Sequence, residues 1–361
     1  MPSFPLAPGS TIGILGGGQL GRMLALAAAR LGFDVAVLEP EEGSPAARVA
    51  AHEIVAPYDD PDALRRLAEL ADVVTYEFEN VPVASVTQLL GLGVDVAPGA
   101  QALGVAQDRM NEKTFLNGHD APTVGWVCAN YDWEAVQGAE RLGTPALMKT
   151  RREGYDGKGQ RWIERPAWAV KAFNDLGSVP VIIEEAADFV RELSIIAARG
   201  RDGATAVYPL AENRHENGIL RQSIAPASVE PRQQEQAERI AHRVLGGLDY
   251  VGVIGIELFE LKDGRLLVNE IAPRVHNTGH WTQDGCEVDQ FEQHIRAVAG
   301  WPLGPTHAIA QVEMVNLLGD EADAWPRYAA EPETRLHLYG KRGAKPGRKM
   351  GHINRVKPLR D

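Results

Sequence analysis

Gly252-Val253-Ile254-Gly255-Ile256-Glu257-Leu258-Phe259-Glu260-Leu261-Lys262-Asp263-Gly264-Arg265-Leu266-Leu267-Val268-Asn269-Glu270 is the stretch that decides the fold. Two apolar runs rich in Ile, Leu and Val flank an Asp-Gly pair, a strong short-range hairpin signal. With Asp263-Gly264 as a two-residue turn, Lys262 faces Arg265, Phe259 faces Val268, and Glu257 faces Glu270. Directly opposed residues on one sheet face have Cβ atoms about 4.5–5.5 Å apart, and like charges there repel. Either one carboxyl holds a proton or a cation sits between the two. A hard divalent ion, Mg²⁺ with Mn²⁺ as the alternative, held by Glu257 and Glu270 together with substrate phosphates, resolves the repulsion. A three-residue turn would shift the register by one and set Glu257 against Asn269; charged strand residues otherwise belong to a solvated face.

Length and composition narrow the field. The chain has 361 residues, enough for two or three domains and a sizeable core. Apolar residues make up 44% and charged residues 24%, the balance of an ordinary globular protein. A net charge of −12 argues against nonspecific nucleic-acid binding. There is a local exception: between Lys341 and Arg360 stand eight Lys or Arg residues and no acid. Cys128 and Cys286 show neither metal spacing nor a disulfide framework, which fits a reducing cytosol. Met1-Pro2-Ser3-Phe4-Pro5 lacks the charged-then-apolar order of a signal peptide. No run approaches the ~20 apolar residues of a membrane span. A cytoplasmic protein with no membrane partner is expected.

The chain opens as βαβ. Thr11–Leu15 reads as a buried strand, Gly16-Gly17-Gly18-Gln19-Leu20-Gly21 as a phosphate-type glycine turn, Arg22–Arg30 as a helix closed by Gly32, and Asp34–Glu39 as a second strand. The turn matches G-x-G-x-x-G, and Glu39 stands near the place of a ribose-binding acid. The segment is nevertheless shorter than the six-stranded sheet of a dinucleotide domain. Asp72–Tyr76 is a further strand, and Val94–Val96 closes the unit before Pro98-Gly99. Ligands of open α/β sheets gather at the carboxyl ends of strands. Gln19, Glu77 and Asn80 lie at such ends and are candidate contacts, or else caps and loop residues.

The middle of the chain changes character. Asp108–Lys113 starts a helix of mixed charge, in which Arg109 reads as an ordinary solvated residue. Pro145–Lys149 is a short strand ending in lysine. The loop Thr150-Arg151-Arg152-Glu153-Gly154-Tyr155-Asp156-Gly157-Lys158-Gly159-Gln160 follows. Its glycines let backbone N–H groups approach phosphate oxygens, and its basic residues counter a polyanion. It is not G-x-x-x-x-G-K-[ST], so the P-loop class is disfavoured. The plainer alternative is a flexible surface hairpin. Val181–Glu185 and Arg191–Ile196 are strands without a long helix between them, so this region is α+β. His215 falls in what reads as a polar turn, and 231–245 has helical spacing.

After the hairpin, Ile271-Ala272-Pro273-Arg274-Val275-His276-Asn277-Thr278-Gly279-His280-Trp281 is dense in donors. His276 and His280 have i, i+4 spacing, which on a helix could bind zinc. Asn277, Thr278 and Gly279 argue for a loop instead, and no H-E-x-x-H is present. A loop of Arg, His and Asn beside a metal site reads as a substrate clamp. Residues 288–298 form a helix, and Pro302 to Pro305 mark a boundary. In the tail, Glu333–Gly340 and Ile353–Val356 read as strands. The basic run between them is an ordered loop suited to a second phosphate, on a substrate rather than on ATP.

These segments together resemble the ATP-grasp enzymes and, in detail, the 5-(carboxyamino)imidazole ribonucleotide synthetases of purine biosynthesis. The likeness is carried by 16–23, 76–79, 154–160, 269–280 and 348–352, with the His276–Trp281 loop and the Arg348–His352 run the most specific. It implies an α/β and α+β ATP-grasp fold in three parts. These are a Rossmann-like domain over 1–107, an ATP-grasp core over 108–301 with a mobile lid at about 122–190, and a small β-rich C-terminal domain over 302–361. It implies ATP contacts at Arg109, Lys149, Gly154, Tyr155, Asp156, Gly157, Lys158, Gly159, Gln160, Glu184, Glu185, Ala186, Ala187, Glu192, His215, Asn269 and Glu270, with Glu257 and Glu270 on Mg²⁺. Arg274, His276 and Asn277 would meet the reacting imidazole or bicarbonate. Lys341 and Arg348 would grip the ribonucleotide 5′-phosphate, with Gln19, Leu20, Glu77, Asn80 and Tyr155 also on that substrate. Glu153 departs from the small residue many relatives carry before Gly154. The implied reaction is ATP- and bicarbonate-dependent carboxylation of aminoimidazole ribonucleotide in a homodimer. Rival readings are a formate-dependent glycinamide ribonucleotide transformylase-like ligase and an NAD-binding oxidoreductase.

Overall fold

The computed structural model describes residues 3–154 and 158–359; Tyr155, Asp156 and Gly157 lie outside the described residues. The first strands are β1 (Thr11–Leu15), β2 (Asp34–Glu39), β3 (His52–Val55), β4 (Val73–Tyr76) and β5 (Asp95–Val96). They pair in parallel in the order β3-β2-β1-β4-β5. Strand order reverses between β1 and β4, which opens a crevice at the carboxyl end of β1. The helix Gln19–Arg30 starts there. Gly16 turns the chain at φ +109°, and a Cβ on it would collide with Glu77 Cγ, so no larger residue fits.

A second, antiparallel sheet holds β6 (Trp126–Ala129), β7 (Ala146–Thr150), β8 (Gln160–Ile163) and β9 (Val181–Glu185) in the order β6-β9-β7-β8. Helices Asp132–Leu142 and Ala169–Asp175 contribute to its own small core, in which Met148, Phe173 and Ile183 are buried.

The third sheet is the largest. It contains β10 (Phe189–Arg199), β11 (Thr205–Val207), β12 (Ala211–Glu216), β13 (Ile219–Ala225), β14 (Gly252–Leu261), β15 (Leu266–Ala272), β16 (Gln311–Leu318), β17 (Thr334–Leu338) and β18 (Lys349–Lys357). The order is β15-β14-β10-β12-β13-β16-β18-β17, with β11 beside β10. The C-terminal strands therefore build no sheet of their own: β16 pairs with β13, Gln222 opposite Val315. His215 is a strand residue of β12, not a turn residue; the turn comes at Asn217-Gly218, where both φ angles are positive.

The deciding hairpin forms by a route the Asp-Gly pair did not indicate. Gly264 N–H donates to the Leu261 carbonyl and Leu261 N–H to the Arg265 carbonyl, both at 2.9 Å. The turn is thus three residues, Lys262-Asp263-Gly264, with Gly264 at φ +79°. Lys262 does not face Arg265, and Phe259 pairs with Leu267 rather than Val268. Continued regularly, this register would set Glu257 against Asn269. A β-bulge at Asn269 intervenes: Leu258 pairs with Val268, and Glu257 with Glu270. The two acids end up opposed as expected, because one extra turn residue and one bulge residue cancel.

Candidate active site

A cavity of about 460 Å³ lies against the hairpin. Glu257, Asn269 and Glu270 line it from β14 and β15, Lys149 from β7, and Glu184 to Ala187 from the end of β9. Gly154, Lys158 and Gln160 contribute from the glycine loop, Glu192 and His215 from β10 and β12, and Gln19, Leu20 and Asn80 from the crevice of the first sheet. Arg109, Arg274, His276 and Asn277 complete the set of expected residues that converge there. Among the described residues Gly159, Glu77, Lys341 and Arg348 do not line the cavity. Glu77 is buried, and its carboxylate accepts the backbone N–H groups of Gly18 and Gly21, so it fastens the first glycine turn. Arg348 donates to the carbonyls of Arg342 and Gly343 and so braces the basic loop. Lys341 Nζ lies 5.8 Å from the centre of the Tyr339 ring.

Arg109 is not the solvated helix residue its neighbours suggested. Its side chain is 17% exposed and reaches Glu270 Oε2 at 3.3 Å and the Gly154 carbonyl at 3.2 Å. Asp108 caps this helix, Arg109–Gly118, by accepting from Met110 N–H, which aims the first turn at the site. Lys149 pairs with Glu184 at 2.6 Å, and Lys113 approaches the other oxygen of the same carboxylate at 3.2 Å. Burial alone would raise the Glu184 carboxyl, but the two lysines hold it down at about 2. Glu184 thus meets the site as a fixed anion between cations.

The acid pair carries the charge pattern of a cation site. Burial, and then the charge of Glu270, push the Glu257 carboxyl up to about 7, as expected where two carboxylates share too little positive charge. The Asn269 amide lies 3.4 Å from Glu257 Oε2. Two hard carboxylates with an amide beside them fit a divalent cation. Among the described residues no group of three or more His, Cys, Asp or Glu is arranged for a metal. Phosphate or water oxygens would therefore have to complete the shell, as Mg²⁺ prefers.

The loop after β15 carries a second constellation. Arg274 forms an ion pair with Glu79, both largely buried. Burial raises Glu79, yet Arg274 draws it down to about 2. His276 is kept neutral, near 3, by burial and then by the Arg274 and Lys349 charges. Its Nδ1 faces the Thr278 hydroxyl at 2.9 Å, and its Nε2 lies 3.7 Å from Glu257 Oε1. Neither polar atom of the buried Asn277 amide has a partner among the described residues, although Asn277 lines the cavity. Such an amide is available to a ligand in the cavity. His280 points elsewhere, into the core, with its Nδ1 3.0 Å from Gln290 Nε2, so the two histidines form no zinc pair.

On β12, His215 Nδ1 meets Glu192 Oε2 at 2.5 Å, and although burial opposes it, that bond raises the imidazole pKa. Glu153 sits at φ +65°, in the left-handed region that a glycine would occupy without strain. Sequence reasoning missed Glu79, Glu112, Lys113 and Lys349. The signal for two of them was present: 109, 112 and 113 share one helix face.

Residues 10–107 match the model of the ribonucleotide synthetase preATP-grasp domain, 114–291 the ATP-grasp domain, and 313–360 the phosphoribosylaminoimidazole carboxylase C-terminal domain. The chain is 50% identical to the N5-carboxyaminoimidazole ribonucleotide synthase of Brucella melitensis over 360 residues, 99% of each chain. It superposes on the ADP complex of an N5-carboxyaminoimidazole ribonucleotide synthetase with TM-score 0.94 at 41% identity, covering 98% of this chain and 93% of that one. It also superposes on the Aspergillus clavatus N5-carboxyaminoimidazole synthase in complex with ADP and 5-aminoimidazole ribonucleotide, with TM-score 0.91 at 32% identity, over 98% and 95% of the two chains. With identity this high over nearly its whole length, the chain belongs to the N5-carboxyaminoimidazole ribonucleotide synthase family of ATP-grasp enzymes.

Proposed function

We propose that the chain carboxylates 5-aminoimidazole ribonucleotide to N5-carboxyaminoimidazole ribonucleotide, consuming ATP and bicarbonate and releasing ADP and phosphate. One observation carries the reading. Glu257 opposes Glu270 in the same cavity that holds Lys149, Arg109 and the Arg274–Asn277 loop. Cations suited to phosphate, an acid pair suited to a metal and an unpartnered amide thus share one cavity.

Lys149 and Arg109 would face the triphosphate and offset the charge that develops as the terminal phosphoryl group moves. Glu184 holds Lys149 in place, and Glu192 and His215 would take the ribose and its surroundings. Mg²⁺, or Mn²⁺, held by Glu257 and Glu270, would supply charge neutralisation on the phosphates. A bicarbonate oxygen attacks the γ-phosphorus and the bond to ADP breaks, giving carboxyphosphate. The exocyclic amine then bonds to the carboxyl carbon of carboxyphosphate, or to CO₂ released from it. Phosphate departs and the amine loses a proton. Asn277 and Arg274 are suited to hold the carboxyl group, and neutral His276 offers an imidazole nitrogen that can accept a hydrogen bond. Gly154, Lys158 and Gln160, which line the cavity from the glycine loop, would help exclude water, which would otherwise hydrolyse the intermediate. Lys341 and Arg348 are assigned to the ribonucleotide 5′-phosphate, Arg348 through its hold on the basic loop.

ADP release in bicarbonate buffer, with and without aminoimidazole ribonucleotide, tests the proposal. Stimulation by the ribonucleotide is expected. Stimulation by formate and not bicarbonate would favour the transformylase-like reading, and binding of NADH, seen by fluorescence, would favour an oxidoreductase. A homodimer is carried over from the family likeness, and light scattering tests it; the cytoplasmic expectation rests on the cysteine usage.

A further inference from the structure

β15 is the end strand of the large sheet, so its outer edge needs partners other than a strand. The helix Arg109–Gly118 supplies them. Lys113 Nζ donates to the Asn269 carbonyl at 2.9 Å, and Glu112 Oε1 accepts from Ile271 N–H at 2.7 Å. Arg109 Nη1 donates to the Glu270 carboxylate at 3.3 Å. Three side chains from one helix face thus grip three consecutive residues, and the middle one is a carboxylate of the metal pair. The first of the three, Asn269, is the bulge residue; paired regularly it would itself stand opposite Glu257 in place of Glu270.

Lys113 also joins β15 to the second sheet. Its ammonium also lies 3.2 Å from Glu184 Oε1, while Glu184 Oε2 holds Lys149 at 2.6 Å. Its side chain is 1% exposed and does not line the cavity. The charge is therefore spent on protein groups rather than on a ligand. It stands where β15, which bears Glu270, meets the sheet that bears Lys149.

We infer that Lys113 is a positioning residue that fixes the Asn269 bulge and the Glu184–Lys149 pair together, and so sets the metal half of the site against its phosphate half. This rests on the reading of Glu257 and Glu270 as the metal pair. The experiment titrates Mn²⁺ into the whole protein with ADP present and follows the loss of the free Mn²⁺ paramagnetic resonance signal. Lys113→Met removes the charge and keeps the unbranched apolar stem. It is expected to weaken Mn²⁺ uptake about tenfold or more, the range seen when groups that orient metal ligands are removed. KM for the ribonucleotide should stay within about twofold, and Lys113→Arg, which keeps charge and donors, should restore most of the loss. A merely structural lysine would lower the melting temperature and leave Mn²⁺ affinity of the folded protein unchanged; that result overturns the inference, as does equal weakening of Mn²⁺ and ribonucleotide. If the Met variant does not fold, Lys113→Gln retains a donor for Asn269 without the charge for Glu184. Unchanged Mn²⁺ affinity in that variant would also overturn the inference, and weakening of about threefold or more would support it. Absence of Mn²⁺ uptake by the unmodified protein with ADP would refute the metal pair itself, and this inference with it.

Discussion

Glu257→Gln should make the metal-free protein more stable and catalytically dead. The Glu257 carboxyl is held near 7 in the fold against 4.5 in an unfolded chain. Below about pH 4.5 it is protonated in both states and contributes no difference. As pH rises toward 7 the unfolded chain ionises first, so the folded state binds more protons and loses stability. Above pH 7 the full penalty applies, and it amounts to about 3 kcal/mol for a shift of this size. The side chain is 17% exposed, so solvent screens part of it and the figure is a ceiling. Glutamine keeps the shape and carries no charge to desolvate. For a chain of this length 3 kcal/mol corresponds to a rise of about 4 °C in melting temperature. The assay is thermal unfolding in chelator at pH 5 and pH 8, comparing variant with unmodified protein. The gap should be largest at pH 8 and shrink toward pH 4.5. Adding Mg²⁺ and ADP should reverse the order, because only the unmodified protein gains from binding. A variant that melts below the unmodified protein at pH 8 in chelator, or a gap that does not vary with pH, would refute the electrostatic account of the pair.

Other perturbations separate the remaining groups. Glu270→Gln should lower ADP release about 10³-fold or more while the circular dichroism spectrum is kept; activity within tenfold of normal would remove it from the metal pair. Lys149→Met should raise KM for ATP about tenfold or more and leave KM for the ribonucleotide within about threefold, and steady-state kinetics with each substrate varied would expose a uniform effect. Glu79→Gln strands the buried Arg274 guanidinium and should cost about 3 kcal/mol or more in urea unfolding, as for other broken buried pairs; a loss under about 1 kcal/mol would mean that Arg274 finds another partner.

The opening βαβ unit was legible because glycine spacing and buried parallel strands leave plain marks, and the strand-rich middle because no long helix interrupts it. The opposed acids were also legible, but the path between them was misread. A two-residue turn satisfies Asp-Gly and the acid pair at once, so nothing in the turn itself argued for a third residue. The apolar positions did. Leu266, Val268 and Ile271 all join the core that also contains Ile256 and Leu258. Even-numbered positions cannot share a strand face with an odd one unless a residue is inserted between them. That change of parity at Asn269 marks the bulge. Arg109 was placed on ATP by the resemblance alone, and Lys113 was passed over although it shares a helix face with it, because a charged helix looks solvated until the strand edge it covers is known. His215 was misplaced because its polar neighbours alternate on a strand whose one face is wet. Tyr155, Asp156 and Gly157 were expected on ATP and lie outside the described residues.

The pairing of β16 with β13 bears on how this chain can be cut. A protein truncated near residue 310 would keep every group assigned to ATP yet leave β13 with a bare edge of unmatched amides and carbonyls, an invitation to self-association. The tail that bears Lys341 and Arg348 is therefore no detachable module. Grafting it from one family member onto another transplants part of a continuous sheet, and success depends on strand register before any question of specificity arises.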